Sequence, residues 1–331
     1  MGATYSDDPR THRYYRHCSH AEVLAQHPAF AWEAAVDSDP SVLAKTQARW
    51  DVAYGATSMS DLLSHYQPEV LVVATPPSAY FTTVAACPGL KAVLCEKPIG
   101  SSLEEAREFL DLCDRRGVLV QVNLWRRCDA FYRRLAEGEL TALVGRPQVI
   151  SGVYGNGLLN NGTHLVDFCR MLFGEVAEVR ALGPALTASR SSFAGDLDVA
   201  CSLQFAGGAT AILQPLDFGC YREIGLDIWG EQGRLELLNE GLTSRLSRRA
   251  PNRALTGADE IEADAPRMLP STVGEALLQV YDNLADALQG RNGLLSPATS
   301  AWRTAVIIDS IQRAVATYDG DVQAIKIPPT Q

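Results

Sequence analysis

The sequence is short of several things, and each shortage narrows what the chain can be. No apolar run approaches about 18 residues, so no membrane-spanning helix is expected. The eight cysteines form no C-x-x-C pair, and most (Cys95, Cys113, Cys169, Cys201) sit inside apolar runs. That is how reduced core cysteines look; the expectation is a cytoplasmic protein with no disulfide framework, and no metal is expected. Positive charge is scarce: 29 Lys and Arg stand against 39 Asp and Glu, a net charge of −10. Such a balance keeps a protein soluble and argues against nucleic acid or an anionic membrane as partner. The polar start (Tyr5, Asp7, Asp8, Arg10, His12, Arg13) carries no signal-peptide core, and no repeat or low-complexity tract appears.

What is present describes an ordinary globular chain, 47% hydrophobic and 21% charged over 331 residues, long enough for about two domains. Strand-like segments at 30–36, 52–54, 70–74, 92–95 and 118–123 alternate with helical ones at 40–50, 59–66, 80–86 and from Ser101 or Ser102 to Arg116. Asp39 is a plausible cap for the first of these helices, with Pro40 at its first position. Short apolar strands alternating with helices predict a parallel, doubly wound sheet over 1–123. Beyond Asn123 the rhythm changes. A basic helix is expected over 125–139, a strand over 149–154, a Gly/Asn-rich loop over 155–162 and a helix over 163–173. From 176 to 238 the pattern is antiparallel, with a Gly207-Gly208 hairpin. Residues 248–267 read as a mobile polar loop, and two amphipathic helices (273–289, 300–317) close the chain. The second domain is therefore expected over 124–331.

Four groups of residues could carry chemistry. Glu96-Lys97-Pro98 ends the strand Ala92 to Cys95, at the carboxyl edge of the parallel sheet, where open α/β folds bind ligands; a surface salt bridge is the plain alternative. Asp37 ends a strand where a carboxylate could accept the adenosine ribose hydroxyls of a dinucleotide and favour NAD over NADP, or could merely cap the next helix. Asn160, Asn161 and His164 open a helix, with Asp167 a turn further on. Such a histidine could pass a proton to or from a hydroxyl that Lys97 polarises, or be a core histidine behind a capping asparagine. Arg126 and Arg127, following Asn123, could bind a phosphate or carboxylate, or form a solvated basic face. One expected feature is missing: a strand and G-x-G-x-x-G should stand about 20 to 30 residues before Asp37. Either the start has been set inside the fingerprint, with Gly2 the last glycine of that turn, or the protein lacks the turn; the first is the expectation.

Taken together, Ala74-Thr75-Pro76-Pro77, Leu94-Cys95-Glu96-Lys97-Pro98, Asn123 with Arg126-Arg127, Asn161-Gly162-Thr163-His164 with Asp167, and Gly230-Glu231-Gln232-Gly233 resemble the glucose-fructose oxidoreductase / inositol dehydrogenase / rhizopine-catabolism family, Gfo/Idh/MocA. The resemblance implies an α/β protein. An N-terminal Rossmann-like parallel sheet, here N-terminally truncated, would be joined to a C-terminal α/β domain with a large, open, mostly antiparallel sheet. That sheet would make a homo-oligomer, a dimer or tetramer. The implied activity is hydride transfer between NAD (NADP possible) and a hydroxyl or keto carbon of a sugar, cyclic polyol or nucleotide-linked sugar. Lys97 would bind the reacting oxygen, and His164 would be the acid/base. Asn123, Arg126, Arg127, Asn160 and Asn161 would contact substrate, and Gly2, Asp37, Thr75, Pro76, Pro77, Glu96 and Lys97 the cofactor. Two positions depart from the family pattern: Asn160 stands where a carboxylate is frequent, and Tyr80 where a histidine is. A rival reading is a non-redox relative serving as a binding, regulatory or scaffold protein; a third keeps the cofactor for elimination or epimerisation through a transient ketone.

Overall fold

Short-range polar contacts set the helices of the first half. Ser19 Oγ accepts from Glu22 N (3.3 Å) and opens α1 (His20–Leu24). The Asp39 carboxylate accepts from Ser41 N and Val42 N, and Pro40 presets φ at the first position of α2 (Pro40–Trp50). Ser58 and Ser102 cap α3 (Met59–His65) and α5 (Leu103–Arg115) in the same way, each accepting from the amide three residues on. Between these helices lie β1 (Ala34–Val36), β2 (Tyr54–Ala56), β3 (Val70–Val73), α4 (Tyr80–Ala85), β4 (Ala92–Cys95) and β5 (Leu119–Val122). The structure, a computed structural model, describes residues 10–262 and 264–329, so Gly2 lies outside the described residues.

The chain forms two compact units: Met1–Cys128 with Gly274–Trp302, and Asp129–Val273 with Arg303–Gln331. In the first, the strands pair in parallel as two ladders, β1–β2 and β3–β4–β5; among the described residues no ladder joins the two. β4 is the most protected of these strands: Ala92, Val93, Leu94 and Cys95 are fully buried. Ala92 and Leu94 pack with Val23, Leu277, Val280, Tyr281 and Leu284, the last four from α9 (Ala276–Leu288) far along the chain. The Gln121 amide ties β5 to that helix, donating to Val280 O (3.3 Å) and Asn283 Oδ1 (3.1 Å).

The second unit runs α6 (Ala130–Arg134), a π turn Leu135–Glu139, α7 (Leu140–Val144), β6 (Pro147–Tyr154), a second π turn Leu158–Gly162, α8 (Thr163–Phe173) and β7 (Val176–Ala181). A short clip, β8 (Leu186–Thr187) with β9 (Leu197–Asp198), follows. Then come β10 (Cys201–Phe205), β11 (Thr210–Pro215), β12 (Gly225–Gly230), β13 (Gly233–Leu238), β14 (Thr243–Pro251), β15 (Asp259–Ile261), β16 (Arg267–Leu269), α10 (Ala298–Ala316), whose residues from Arg303 on belong to this unit, and β17 (Ala324–Lys326). Ten strands make one sheet in the order β15-β14-β13-β12-β6-β11-β10-β7-β17, with β16 on β14. All neighbours are antiparallel except β11 on β6. The period of two shows clearly in β10, where Cys201, Leu203 and Phe205 are buried and Gln204 is exposed.

Two expectations are corrected. The single basic helix over 125–139 is broken: Trp125–Arg127 is a 3₁₀ turn, and the Asp129 carboxylate restarts the chain as α6 by accepting from Tyr132 N (2.9 Å). The stretch 248–267 is not a loop throughout. Arg249 pairs with Asp259, and Arg253 with Glu260 and Asp264; these contacts fold it into β14 and β15. Strands wetted on both faces lack the apolar alternation that reveals a strand.

Candidate active site

In the first unit the buried run of β4 stops where two polar residues emerge, Glu96 and Lys97, both half-buried, followed by a cis Lys97–Pro98 bond. Glu96 N donates to Val73 O (3.1 Å), and Tyr80 donates its hydroxyl to Glu96 O (2.8 Å). The Glu96 carboxylate accepts from His20 Nε2 (3.0 Å) and Asn123 Nδ2 (2.9 Å) on one oxygen, and His20 Nδ1 faces the Tyr281 hydroxyl at 2.8 Å. The two ring nitrogens of His20 thus join the Tyr281 hydroxyl to the Glu96 carboxylate. Burial by itself would raise the Glu96 carboxyl. The hydrogen bond and charge of His20, then the Asn123 amide, outweigh it and hold Glu96 well below the usual carboxylate range. Burial, then the Glu96 charge, pushes the Tyr281 hydroxyl upward. The residue that precedes Lys97 is therefore held in a polar network.

The other first-unit candidates sit around the same sheet. Asn123 N donates to Cys95 O (2.8 Å), which places it beside Glu96; its Oδ1 is buried with no hydrogen-bond partner among the described residues. Thr75 and Pro76 are exposed just past β3, and Pro77 is buried in a 3₁₀ turn. Asp37 follows β1, with Oδ1 accepting from Asp39 N (2.9 Å). Arg126 is buried with its guanidinium 4.2 Å from the Trp125 ring centre, whereas Arg127 is half-buried. The residues present suit two ends of a dinucleotide: a carboxylate past β1 for the ribose hydroxyls, and the Thr75-Pro76 edge with the open Asn123 acceptor for the nicotinamide. A glycine cradle for the pyrophosphate is not among the described residues.

In the second unit Asn160 and Asn161 lie in the π turn that runs directly into α8, whose second residue is His164. Asn160 and His164 are half-buried; Asn161 is buried, its Nδ2 donating to Gly155 O (2.7 Å). Asp167, one turn on, is engaged elsewhere: it accepts from Thr304 Oγ1 (2.8 Å) and pairs with Arg170 Nη1 (3.4 Å), all buried. Arg170 also bonds Glu175; burial opposes this, but the guanidinium holds the Glu175 carboxyl low.

Sequence reasoning passed over His20, Tyr281, Asp196 and Asp198. Each acts through a partner remote in sequence, so no local spacing marked it. Among the described residues one trio, His12, Cys18 and Glu22, brings metal-ligand atoms within 4.8 Å of one another. Glu22 is already accepting from Cys18 N (2.5 Å) at the start of α1. His12 turns Nδ1 to Cys18 Sγ (3.7 Å) and Nε2 to Glu22 (3.5 Å), so one ion could not use both ring nitrogens.

Residues 14–124 match the sequence model of the Gfo/Idh/MocA oxidoreductase family, described as an NAD-binding Rossmann fold, and residues 146–236 match the family's C-terminal domain. The uncharacterised oxidoreductase YrbE of Bacillus subtilis is 25% identical over 211 residues, 59% of this chain and 62% of that protein. Myo-inositol 2-dehydrogenase of Thermotoga maritima is 25% identical over 193 residues, 53% and 58%. The match thus spans under two thirds of either curated relative. The WlbA dehydrogenase of Bordetella pertussis, solved with NADH and UDP-GlcNAcA, superposes with a TM-score of 0.70 at 20% identity, covering 94% of this chain and 95% of that one; at this identity the likeness is one of fold.

Proposed function

Because the chain belongs to the Gfo/Idh/MocA oxidoreductase family, we propose that it transfers a hydride between NAD and a hydroxyl or keto carbon of a sugar, cyclic polyol or nucleotide-linked sugar. The observation that carries this reading is the polar network that holds Glu96, the residue before Lys97. A buried chain from Tyr281 through His20 to Glu96, braced by Asn123, is a large desolvation cost for a fold to bear merely to place a surface lysine. In this reading Lys97 donates a hydrogen bond to the reacting oxygen, and His164 accepts or returns its proton. Asn160 and Asn161 orient neighbouring hydroxyls; Arg126 and Arg127 take any anionic group of the substrate. Asp37, Thr75, Pro76, Pro77, Glu96, Lys97 and Gly2 belong to the cofactor side. Bound there, the nicotinamide would supply the hydride acceptor or donor. Family relatives that include a myo-inositol dehydrogenase support the polyol class.

Lys97→Ala is expected to lower turnover at least about 10²-fold while NADH still binds; near-normal turnover removes the role. One observation favours a second reading, a non-redox binding or scaffold protein: the parallel sheet is in two pieces, and no phosphate cradle is among the described residues. Titration with NADH and NADPH decides, since no binding at millimolar cofactor would leave only the rival.

The mixed sheet supports a homo-oligomer. Val149, Ile212 and Trp229, exposed on the neighbouring strands β6, β11 and β12, share one face through their registers with Ser151 and with each other. Light scattering that finds only monomer would remove this part. A cytoplasmic location fits eight free cysteines, seven of them buried.

A further inference from the structure

Behind the turn that carries Asn160 and Asn161 stand two carboxylates with no part in the proposed reaction. Asp196 is 1% exposed. Its Oδ1 accepts from Leu159 N (2.9 Å) and Leu197 N (2.8 Å), and its Oδ2 from Asn160 N (3.2 Å) and Ser191 Oγ (2.6 Å). Asp198 Oδ1 accepts from Gly157 N (2.9 Å). The backbone approaches so closely that a Cβ on Gly157, whose φ is +98°, would lie 1.9 Å from Asp196 Oδ2. The amides of residues 157, 159 and 160, at the entry to the π turn and α8, therefore all end on aspartate.

We propose that Asp196 is a positioning residue: by gripping the amides of Leu159 and Asn160 it fixes the turn that presents Asn160, Asn161 and His164, and with Asp198 it uses up the donors that would otherwise draw an anion, so this turn meets a neutral, polyhydroxylated ligand. The inference rests on the function proposed above for His164. Free amides at a helix start carry partial positive charge and take phosphate or carboxylate readily. Here two carboxylates of the chain already hold those positions. Their crowding is visible in Asp198, whose carboxyl is raised by burial and then by the Asp196 and Asp217 charges. A neutral hydroxyl pays no repulsion at such a place, and the Asn160 side chain can both donate to it and accept from it.

Amide hydrogen exchange over residues 157–162 tests the grip without any turnover, and so separates its failure from failure of the oxidoreductase reading, which the NADH titration and Lys97→Ala address. Asp196→Ala is expected to speed exchange at Leu159 and Asn160 by about tenfold or more, with the later turns of α8 unchanged and Asp196→Asn intermediate. Unchanged exchange in Asp196→Ala overturns the grip. Inorganic phosphate is expected to leave exchange of these amides unaltered in the native chain; protection by phosphate overturns the exclusion of anions. With a polyol that the native chain oxidises, Asp196→Ala is expected to lower kcat by at least about tenfold, with a smaller change in KM and partial recovery in Asp196→Asn. Equal kcat for Asp196→Ala and the native chain overturns the positioning role.

Discussion

Replacing His20 with alanine removes one partner from two buried groups at once. The Glu96 carboxylate would lose the donor at 3.0 Å, and the Tyr281 hydroxyl its ring-nitrogen partner at 2.8 Å. The His20 side chain is 4% exposed and Glu96 15%, so water has little access to stand in. A hydrogen bond to a charged group is worth about 1.5–3 kcal/mol, and an orphaned buried hydroxyl costs about 1–3 kcal/mol. The loss should thus be about 3 kcal/mol or somewhat more, since the missing ring also leaves space beside Tyr281, whose ring lies 5.8 Å away centre to centre. At roughly 2–4 °C per kcal/mol for a unit of this size, the Tm should fall by about 6–12 °C. Tyr281→Phe, which gives up only the neutral hydrogen bond, should cost about 1 kcal/mol. Urea and thermal unfolding followed by circular dichroism measure both. If His20→Ala costs less than about 1 kcal/mol, the network is not closed to water and the reasoning about Lys97's support fails.

Glu96 also predicts an acid limb. Its folded carboxyl lies below the ordinary 4.5, so it contributes stability above that value and loses it progressively as pH falls toward the folded pKa. Glu96→Gln should flatten stability against pH below about 4.5, and an unchanged acid limb would contradict the assignment. In the second unit, Asp129 is wholly buried; it caps α6 through Tyr132 N and accepts from Thr272 Oγ1 at 2.6 Å. Asp129→Ala should cost about 2 kcal/mol by denaturant titration, whereas Asp129→Asn, which keeps an oxygen for the cap, should cost less than half of that.

The helices of the first unit were largely legible because their signals are local. Asp39-Pro40 and the pair Ser101-Ser102 state where a helix begins within a few residues. The carboxyl edge bearing Lys97 was legible for the same reason, as an apolar run that stops on Glu-Lys-Pro. The network that fixes Glu96 at that edge was not legible: His20 and Tyr281 are 261 positions apart, and their pairing depends on packing that no window spans. The helix over 125–139 was misjudged because a basic composition suits a helix, while the Asp129 cap and the positive φ of Gly138 (+121°) divide it. The order of a parallel sheet before an antiparallel one, by contrast, followed from the change of rhythm after Asn123, whereas the single large open sheet was implied by the family resemblance.

The backbone leaves the first unit at Cys128 and returns at Gly274, and this has a consequence for synthesis. At about 5–20 residues per second, a ribosome needs roughly 7–30 s to deliver the returning stretch. Until then Ala92 and Leu94 of β4 lack the Leu277, Val280 and Leu284 side chains that cover them, and the nascent chain carries a sticky surface for chaperones to shield. A gene fragment stopping at Cys128 would make that waiting state permanent; recombinant dissection of this protein should instead splice the returning helix onto the early strands.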